Sequence, residues 1–221
     1  MARCPGLAQL HDAVIGATMD LPAGNFSEWL RDMRRALAGH GDMVVACGDC
    51  VGCCTSSYYI RVRAHESRAL AAIDAKFLSP APGRKGGQLM GFHENGHCPM
   101  FDGSRCSIYR DRPETCRTYD CRVFTAAGMP AGGDDKSVIN ARVASWRFEY
   151  PTETDRREQR AVLAAANFLR QHPVRFASGH VPSRASDIAV LAVKTYEVFL
   201  DDPEDDGTIA AAIVEAARKF G

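Results

Sequence analysis

Cys47-Gly48-Asp49-Cys50-Val51-Gly52-Cys53-Cys54 is the stretch of sequence on which the fold of this chain depends. Thiolates packed this densely repel one another, so at neutral pH they need a bound cation or cluster, or they oxidise. The glycines inside the stretch let the backbone curl between the sulfur atoms. The stretch therefore predicts that a metal, an iron–sulfur cluster or disulfides organise this part of the chain.

A second group of cysteines follows at wider spacing: Cys98, Cys106, Cys116 and Cys121. Together the two groups supply eight thiols, which could serve two four-ligand sites or one site and a reactive remainder. Cys47, Cys50 and Cys53 can converge on one cluster that takes its fourth ligand from a distant residue. Cys54 must then face a second site or bridge between sites. Cys4 stands apart from both groups and is expected to be a free thiol.

Composition limits the compartment and the partners. The 221 residues are 46% hydrophobic, and 27 basic residues balance 27 acidic ones, so a nucleic-acid partner is not expected. The first residues show no apolar stretch before a cleavage site, and no apolar run is long enough to span a bilayer. We therefore expect a cytoplasmic chain with no membrane partner. Structural disulfides are rare in that compartment, which favours metal or redox chemistry for the cysteines.

Iron–sulfur and zinc are the two credible occupants. Tetrathiolate zinc commonly stabilises small, loop-rich modules. Two features favour an iron–sulfur cluster. The closely spaced Cys47, Cys50 and Cys53 differ from the paired cysteines of zinc ribbons, and several arginines lie among the cysteines of the second group. These arginines are Arg105, Arg110, Arg112, Arg117 and Arg122. Alternatively, they form surface ion pairs with the nearby acidic residues Asp102, Asp111, Glu114 and Asp120.

The pattern of apolar residues predicts an α+β fold that is mostly α. The sequence predicts four regions: N-terminal helices that pack on the rest (1–41), a small irregular cysteine-rich module (42–125), a linker (126–136) and a C-terminal helical bundle (137–221). Ser27 is predicted as the N-cap of a helix in the first region. One apolar stripe of the bundle comprises Ile139, Val143, Trp146 and Tyr150. The bundle could dock a protein partner, and the oligomeric state is left open.

Within the module, short strands and turns are expected. Residues 57–62 alternate as a strand does, residues 65–78 carry a helical pattern, and residues 88–93 form another strand. Asn95-Gly96 and Asp102-Gly103 predict hairpin turns that place Cys98 and Cys106 on neighbouring strands. Pro113 suits the first turn of a helix that carries Cys116 and ends before Cys121.

His93-Glu94-Asn95-Gly96-His97 matches the HExxH pattern of zinc proteases. That chemistry needs both histidines on one face of a helix. The glycines and the asparagine favour a turn instead, so a protease site is not expected. His97, next to Cys98, is kept as a candidate donor to the site.

The cysteine pattern resembles the YkgJ-type cysteine-cluster proteins, a family described as a zinc- or iron-chelating domain. The likeness covers about residues 44–124 and includes the CxxCxxCC run, Cys98-Pro99, Cys106, Tyr109, Arg112-Pro113, Cys116-Arg117 and Cys121. Flagellin lysine N-methylases carry a similar cysteine module, for which an iron–sulfur cluster is implied. The resemblance implies that all eight cysteines are metal ligands and that Tyr109, Arg112 and Arg117 support the bound group.

Three hypotheses follow. The first is a metalloprotein that holds an iron–sulfur cluster, with 4Fe–4S as a candidate, in a redox, metal-handling or modification-supporting role. The second is a zinc-stapled protein-interaction module without catalysis. The third is an S-adenosylmethionine-dependent lysine methylase, which only the resemblance suggests, since the chain shows no recognisable methyl-donor glycine motif.

Overall fold

A computed structural model describes residues 20–82, 86–176, 183–201 and 206–220 of the chain. Residues 1–19 of the predicted N-terminal helical region, which include Cys4, lie outside these ranges. No helix in the described ranges is both long enough and apolar enough to cross a membrane.

The described residues form an α+β fold in which helices predominate, as predicted. The helices are α1 (Phe26–Leu37), α2 (Ser67–Ala72), α3 (Glu114–Thr118), α4 (Arg122–Ala126), α5 (Ser137–Ser145), α6 (Glu153–Gln171), α7 (Ala185–Thr195) and α8 (Asp206–Arg218). The strands are β1 (Leu21–Asn25), β2 (Ile60–Val62), β3 (Leu78–Pro80), β4 (Gln88–Met90) and β5 (Trp146–Glu149).

A two-stranded parallel sheet connects the segment before α1 with the segment between α5 and α6. β1 pairs with β5, so that Leu21 lies opposite Trp146. The sequence pattern placed Trp146 on a helical stripe, but α5 ends at Ser145 and the chain continues extended. Trp146 and Phe148 are buried while Arg147 and Glu149 are exposed, which is the alternation of a strand that covers a core.

The main core gathers α1, α4, α6, α7 and α8 around this sheet. On α1, Phe26, Trp29 and Met33 are buried at helical spacing. The N-cap of α1 is Asn25, whose side chain accepts from the backbone N–H of Glu28, and not Ser27 as predicted. The helix begins at Phe26, directly after β1, so its N-cap lies two residues earlier than predicted.

A carboxylate ties the start of α6 to the start of α1. Thr152 and Asp155 form a capping box at the N-terminus of α6. The buried Asp155 carboxylate also accepts from the backbone N–H of Ser27 at 3.0 Å. The first turns of both helices therefore share one acceptor.

A smaller core lies beneath an antiparallel sheet of order β2-β4-β3. Five buried residues form it: Val62, Ala69, Ile73, Met90 and Met100. The predicted strand at 57–62 is confirmed in its second half, and the predicted helix at 65–78 is shorter than expected. It ends at Ala72 because Ile73 is extended and Asp74 caps a separate 3-10 turn, Ala75–Phe77.

The segment predicted as a linker contributes to the main core. Ala126, Ala127 and Ala131 are buried there. The Asn140 side chain of α5 accepts from the backbone N–H of Ala131 and donates to the carbonyl of Gly132, at 2.8 and 3.0 Å. The cysteine-rich region and the C-terminal helices thus pack on one another through this segment.

Candidate metal centre

The CxxCxxCC run forms a compact loop that lies against α5. The backbone N–H of Cys50 donates to the carbonyl of Cys47 at 3.0 Å, and a 3-10 turn covers Gly52–Cys54. Gly52 is buried, and a Cβ atom there would lie 3.0 Å from Cγ1 of Ile139. The glycine at this position therefore leaves room for the loop to approach α5 closely.

The first two cysteines of the second group lie beside this loop. The backbone N–H of Cys98 donates to the carbonyl of Cys54 at 2.7 Å. The expected hairpin is reduced to one bridge between Phe101 and Cys106, closed by the predicted Asp102-Gly103 turn. Both Cys98 and Cys106 pack against the smaller core.

The HExxH pattern forms a turn and not a helix, as predicted. The backbone N–H of His93 donates to the carbonyl of His97 at 2.8 Å, and Gly96 has a φ of 81°. A Cβ atom at Gly96 would lie 2.6 Å from Oγ of Ser57, so glycine is required here. The two histidines therefore do not share a helical face, and the protease pattern has no structural basis.

The last two cysteines flank a short helix. Cys116 lies on α3, which the Thr115 hydroxyl fastens to β2 by donating to the carbonyl of Arg61 at 2.7 Å. Cys121 lies between α3 and α4 and is buried in the main core. All eight cysteines of the two groups are free thiols.

One set of thiols lies next to the smaller core. Burial raises the pKa of Cys116, and charge repulsion from Cys53, Cys98 and Cys106 raises it further. Burial likewise raises the pKa of Cys98, with added repulsion from Cys106 and Cys53. The same effect raises the pKa of Cys106, against the opposing charge of Arg112. These thiols are therefore close enough to affect one another's ionisation.

A second set lies next to the main core. Burial raises the pKa of Cys121 to about 12, although the indole N–H of Trp146 donates to its sulfur atom at 3.2 Å and opposes the shift. Repulsion from Asp120, Cys47 and Cys50 adds to it. Cys47, Cys50 and Cys121 therefore lie together.

Arg142 of α5 supports this second set from outside the cysteine-rich region. Burial and then repulsion from Cys53 and Cys50 raise the pKa of Cys47, and the charge of Arg142 lowers it. The Arg142 guanidinium donates to the carbonyl of Cys47 at 2.5 Å and lies 5.8 Å from the ring centre of Trp146. Arg142 near the end of α5 thus holds the backbone of Cys47, and Trp146 at the start of β5, four residues later, contacts the sulfur of Cys121.

The adjacent pair Cys53 and Cys54 lies where the two sets meet. The Cys54 thiol donates a hydrogen bond to the Cys53 sulfur, which lowers the pKa of the exposed Cys53 to about 7, with help from Arg112. The same bond raises the pKa of Cys54 well above its usual range. Cys53 is the thiol of the pair that ionises at neutral pH.

The described thiols are neighbours without forming a finished coordination shell. Among the residues that the structure describes, no three His, Cys, Asp or Glu side chains are arranged so that they could hold a metal ion. Chemically the donor set nevertheless fits zinc or an iron–sulfur cluster, both of which bind thiolate sulfur.

The residues expected to support the bound group have two different environments. The Arg112 guanidinium stacks over the ring of Tyr109 at 3.9 Å and faces the thiols of Cys53 and Cys106. Arg117 pairs with Asp42 at 3.1 Å and donates to the carbonyl of Arg112 at 3.0 Å. Arg112 is thus the arginine of these two that acts on the thiols, whereas Arg117 holds its backbone.

Other arginines of the second cysteine group form ion pairs, as the alternative interpretation expected. Arg105 pairs with Asp102 at 3.7 Å on the surface. Arg122 pairs with the buried Asp120 at 2.7 Å, and Asp120 also accepts from the indole N–H of Trp29 at 2.9 Å. The residue before Cys121 is therefore anchored to α1.

Sequence reasoning missed Trp146 and Arg142 as residues of the site. Both lie outside the cysteine-rich region, and their apolar and basic characters suit an ordinary helix. Their spacing of four residues is the one available signal, and it indicates a shared helical face without indicating which face.

Residues 46–141 match a family model named CxxCxxCC and described as a "Putative zinc- or iron-chelating domain". The match confirms the resemblance carried by the cysteines and extends it into α5, ending one residue before Arg142. No curated protein and no solved structure matches the chain. The eight clustered thiols lie within this match, so the cysteine-rich region of residues 46–141 is similar to the CxxCxxCC family.

Proposed function

We propose that the protein holds an iron–sulfur cluster through its eight clustered cysteines. The observation that carries the proposal is that two cysteine groups, far apart in sequence, meet as free and mostly half-buried thiols. In this proposal, loading displaces the protons of the ligating thiols and turns their sulfur atoms toward the bound metal.

The surroundings of the thiols support iron–sulfur over zinc. N–H donors to cysteine sulfur and nearby positive charge set the reduction potential of such clusters. Trp146 supplies an N–H donor to Cys121 at 3.2 Å, and Arg142 and Arg112 supply one positive charge to each set of thiols. The use of the cluster in this proposal is electron transfer, metal handling or support of a modification reaction.

A structural zinc module is the second candidate, and one observation favours it. The smaller core contains only five buried hydrophobic residues, a size at which domains usually need a metal or disulfides for stability. Cys98 and Cys106 pack directly against this core, so a metal held there would stabilise it.

Metal and sulfide analysis of protein purified without oxygen tests the proposal. The iron–sulfur function requires iron and acid-labile sulfide in equal amounts and a broad visible absorption that dithionite bleaches. A colourless protein that contains zinc and no sulfide under the same conditions would refute it and establish the zinc module. Reconstitution with iron and sulfide, next to reconstitution with zinc, controls for loss of metal during purification.

A further inference from the structure

We infer that the eight cysteines form two separate four-thiolate sites, a core site of Cys47, Cys50, Cys53 and Cys121 and a hairpin site of Cys54, Cys98, Cys106 and Cys116. The inference rests on the proposed metal binding, and it holds for iron–sulfur and for zinc alike. It adds a division of the ligands that the sequence left open.

The core site is assembled by α5 and β5. Arg142 holds the backbone of Cys47 at 2.5 Å, and Trp146 holds the sulfur of Cys121 at 3.2 Å. The bond from the N–H of Cys50 to the carbonyl of Cys47 keeps the first two cysteines in one turn. Cys47 and Cys121 are thus each held by a contact from the segment of α5 and β5, and Cys50 follows Cys47 within one turn.

The hairpin site is assembled around the smaller core. The N–H of Cys98 is bonded to the carbonyl of Cys54 at 2.7 Å, and the Phe101–Cys106 bridge returns Cys106 to the same side. Cys116 is brought to these thiols by α3, which is fastened to β2 through Thr115. The charge repulsion among Cys98, Cys106 and Cys116 is the electrostatic sign of this proximity.

Cys53 and Cys54 decide the division, because they are adjacent and the Cys54 thiol donates to the Cys53 sulfur, which places the pair where the two sets of thiols meet. Cys53 acts electrostatically on members of both sets, so its own contacts alone leave it unassigned. Cys54 is joined through its backbone to Cys98, and with Cys98, Cys106 and Cys116 it completes four ligands. Cys53 then supplies the fourth ligand of the core site.

A guanidinium lies near each site. Arg142 lies at Cys47 of the core site, and Arg112 faces Cys106 of the hairpin site and also Cys53, where the two sites adjoin. A tetrathiolate site keeps a net negative charge with zinc and with an oxidised four-iron cluster, so a neighbouring cation stabilises each site separately.

Metal content per chain in anaerobically reconstituted variants tests the division. The full chain, loaded with iron and sulfide or with zinc, sets the reference value. Cys98→Ser/Cys106→Ser and Cys47→Ser/Cys50→Ser should each retain about half of it. Cys4→Ser, which changes a cysteine outside both groups, should retain all of it. Circular dichroism shows that each variant keeps its helices.

Adding one substitution at the adjacent pair makes the test specific. With Cys98 and Cys106 replaced, adding Cys54→Ser should remove no more metal, whereas adding Cys53→Ser should remove the remaining half. With Cys47 and Cys50 replaced, the two effects should be exchanged. If either double variant loses all metal while the full chain is loaded, the ligands form one coupled site, and the division is wrong although metal binding stands. A full chain that takes up no metal overturns both.

Discussion

The Asp120–Arg122 ion pair offers the sharpest test of how the candidate metal centre is anchored. Asp120 is 1% exposed and accepts from Trp29 at 2.9 Å and from Arg122 at 2.7 Å. Asp120→Ala would leave a largely buried guanidinium and an indole N–H without their acceptor. Removing one partner of a buried ion pair typically costs about 3–5 kcal/mol.

The lower end of that range is expected here. Arg122 keeps two further acceptors, the carbonyls of Ala23 and Val44, both at 3.0 Å, so its charge is not left wholly without partners. We therefore expect a loss of about 3 kcal/mol in the free energy of unfolding. For a chain of this size that corresponds to a fall of about 6–12 °C in the melting temperature.

Thermal unfolding of loaded and of metal-free, reduced protein measures the effect, with Asp120→Asn as the matched control. The amide keeps an acceptor oxygen for one donor and removes the charge, so its loss should be smaller than that of Asp120→Ala. In both variants the pKa of the Cys121 thiol should fall, because a repelling carboxylate is gone. A melting temperature within about 2 °C of the unmodified protein for Asp120→Ala would refute the anchoring role.

Four further outcomes follow from the contacts of the site and of the helical core. Trp146→Phe keeps a buried aromatic ring but removes the N–H donor to Cys121. Metal retention against a chelator should therefore fall by about 10–100-fold, with little loss of helix content. Unchanged metal retention would exclude a role for this hydrogen bond. In metal-free protein at neutral pH, iodoacetamide should label Cys53 first, because this thiol is exposed and its pKa is lowered to about 7. Cys54→Ala should slow the labelling of Cys53, since it removes the S–H donor. Peptide mass spectrometry locates the label. Metal affinity should rise between about pH 6 and pH 8, because burial raises the pKa of Cys121 to about 12 and such thiols must release their protons when they bind metal. Calorimetry in buffers of different ionisation enthalpy counts the released protons. A pH-independent affinity would contradict protonated thiols in the metal-free protein. Asp155→Asn should destabilise the protein at neutral pH and lose its effect as the pH falls below about 4. Burial works to raise the pKa of Asp155, but the hydrogen bonds of the capping box and the α1 backbone outweigh it and hold the pKa well below its usual range. The stabilisation is therefore fully present above the pKa of the unfolded chain and shrinks progressively as the pH falls toward the lower pKa of the folded protein. Urea unfolding at neutral pH and at several values below about pH 4 measures it.

Local sequence signals predicted the parts of the fold that local physics decides. The Asn95-Gly96 and Asp102-Gly103 turns form as expected because glycine at their second position adopts positive φ. The stripe of Phe26, Leu30 and Met33 forms α1 because a helix places residues three and four apart on one face.

The parallel pairing of β1 with β5 could not be predicted in the same way. Its two strands are more than 120 residues apart, and Trp146 fits an amphipathic helix as well as a strand. Pro22 and Gly24 are residue types that interrupt a helix, but they do not indicate that this segment pairs with a distant one. The backbone of β5 is extended because it pairs with β1 and buries Trp146 and Phe148 in the main core. The local sequence pattern carries no information about this distant partner.

For the candidate site, the sequence supplied the donors but not their neighbours. Cysteine spacing indicated clustered metal ligands, and the family resemblance implied that all eight thiols are ligands, which stays a prediction. The contact of Trp146 with Cys121 and the contact of Arg142 with Cys47 arise from the packing of α5 on the loop of Cys47, at the close approach that Gly52 permits. No spacing rule links residues so far apart.

The contacts made by α5 and β5 determine where this chain can be cut. A fragment that ends at residue 125, or at residue 141 where the family match stops, keeps all eight cysteines but loses the donor to the Cys121 sulfur and the cation at Cys47. It also uncovers the side of Cys121 that the main core now shields. Transplanting the cysteine-rich region into another protein therefore calls for a segment that extends at least through Glu149, so that α5 and β5 travel with their thiols.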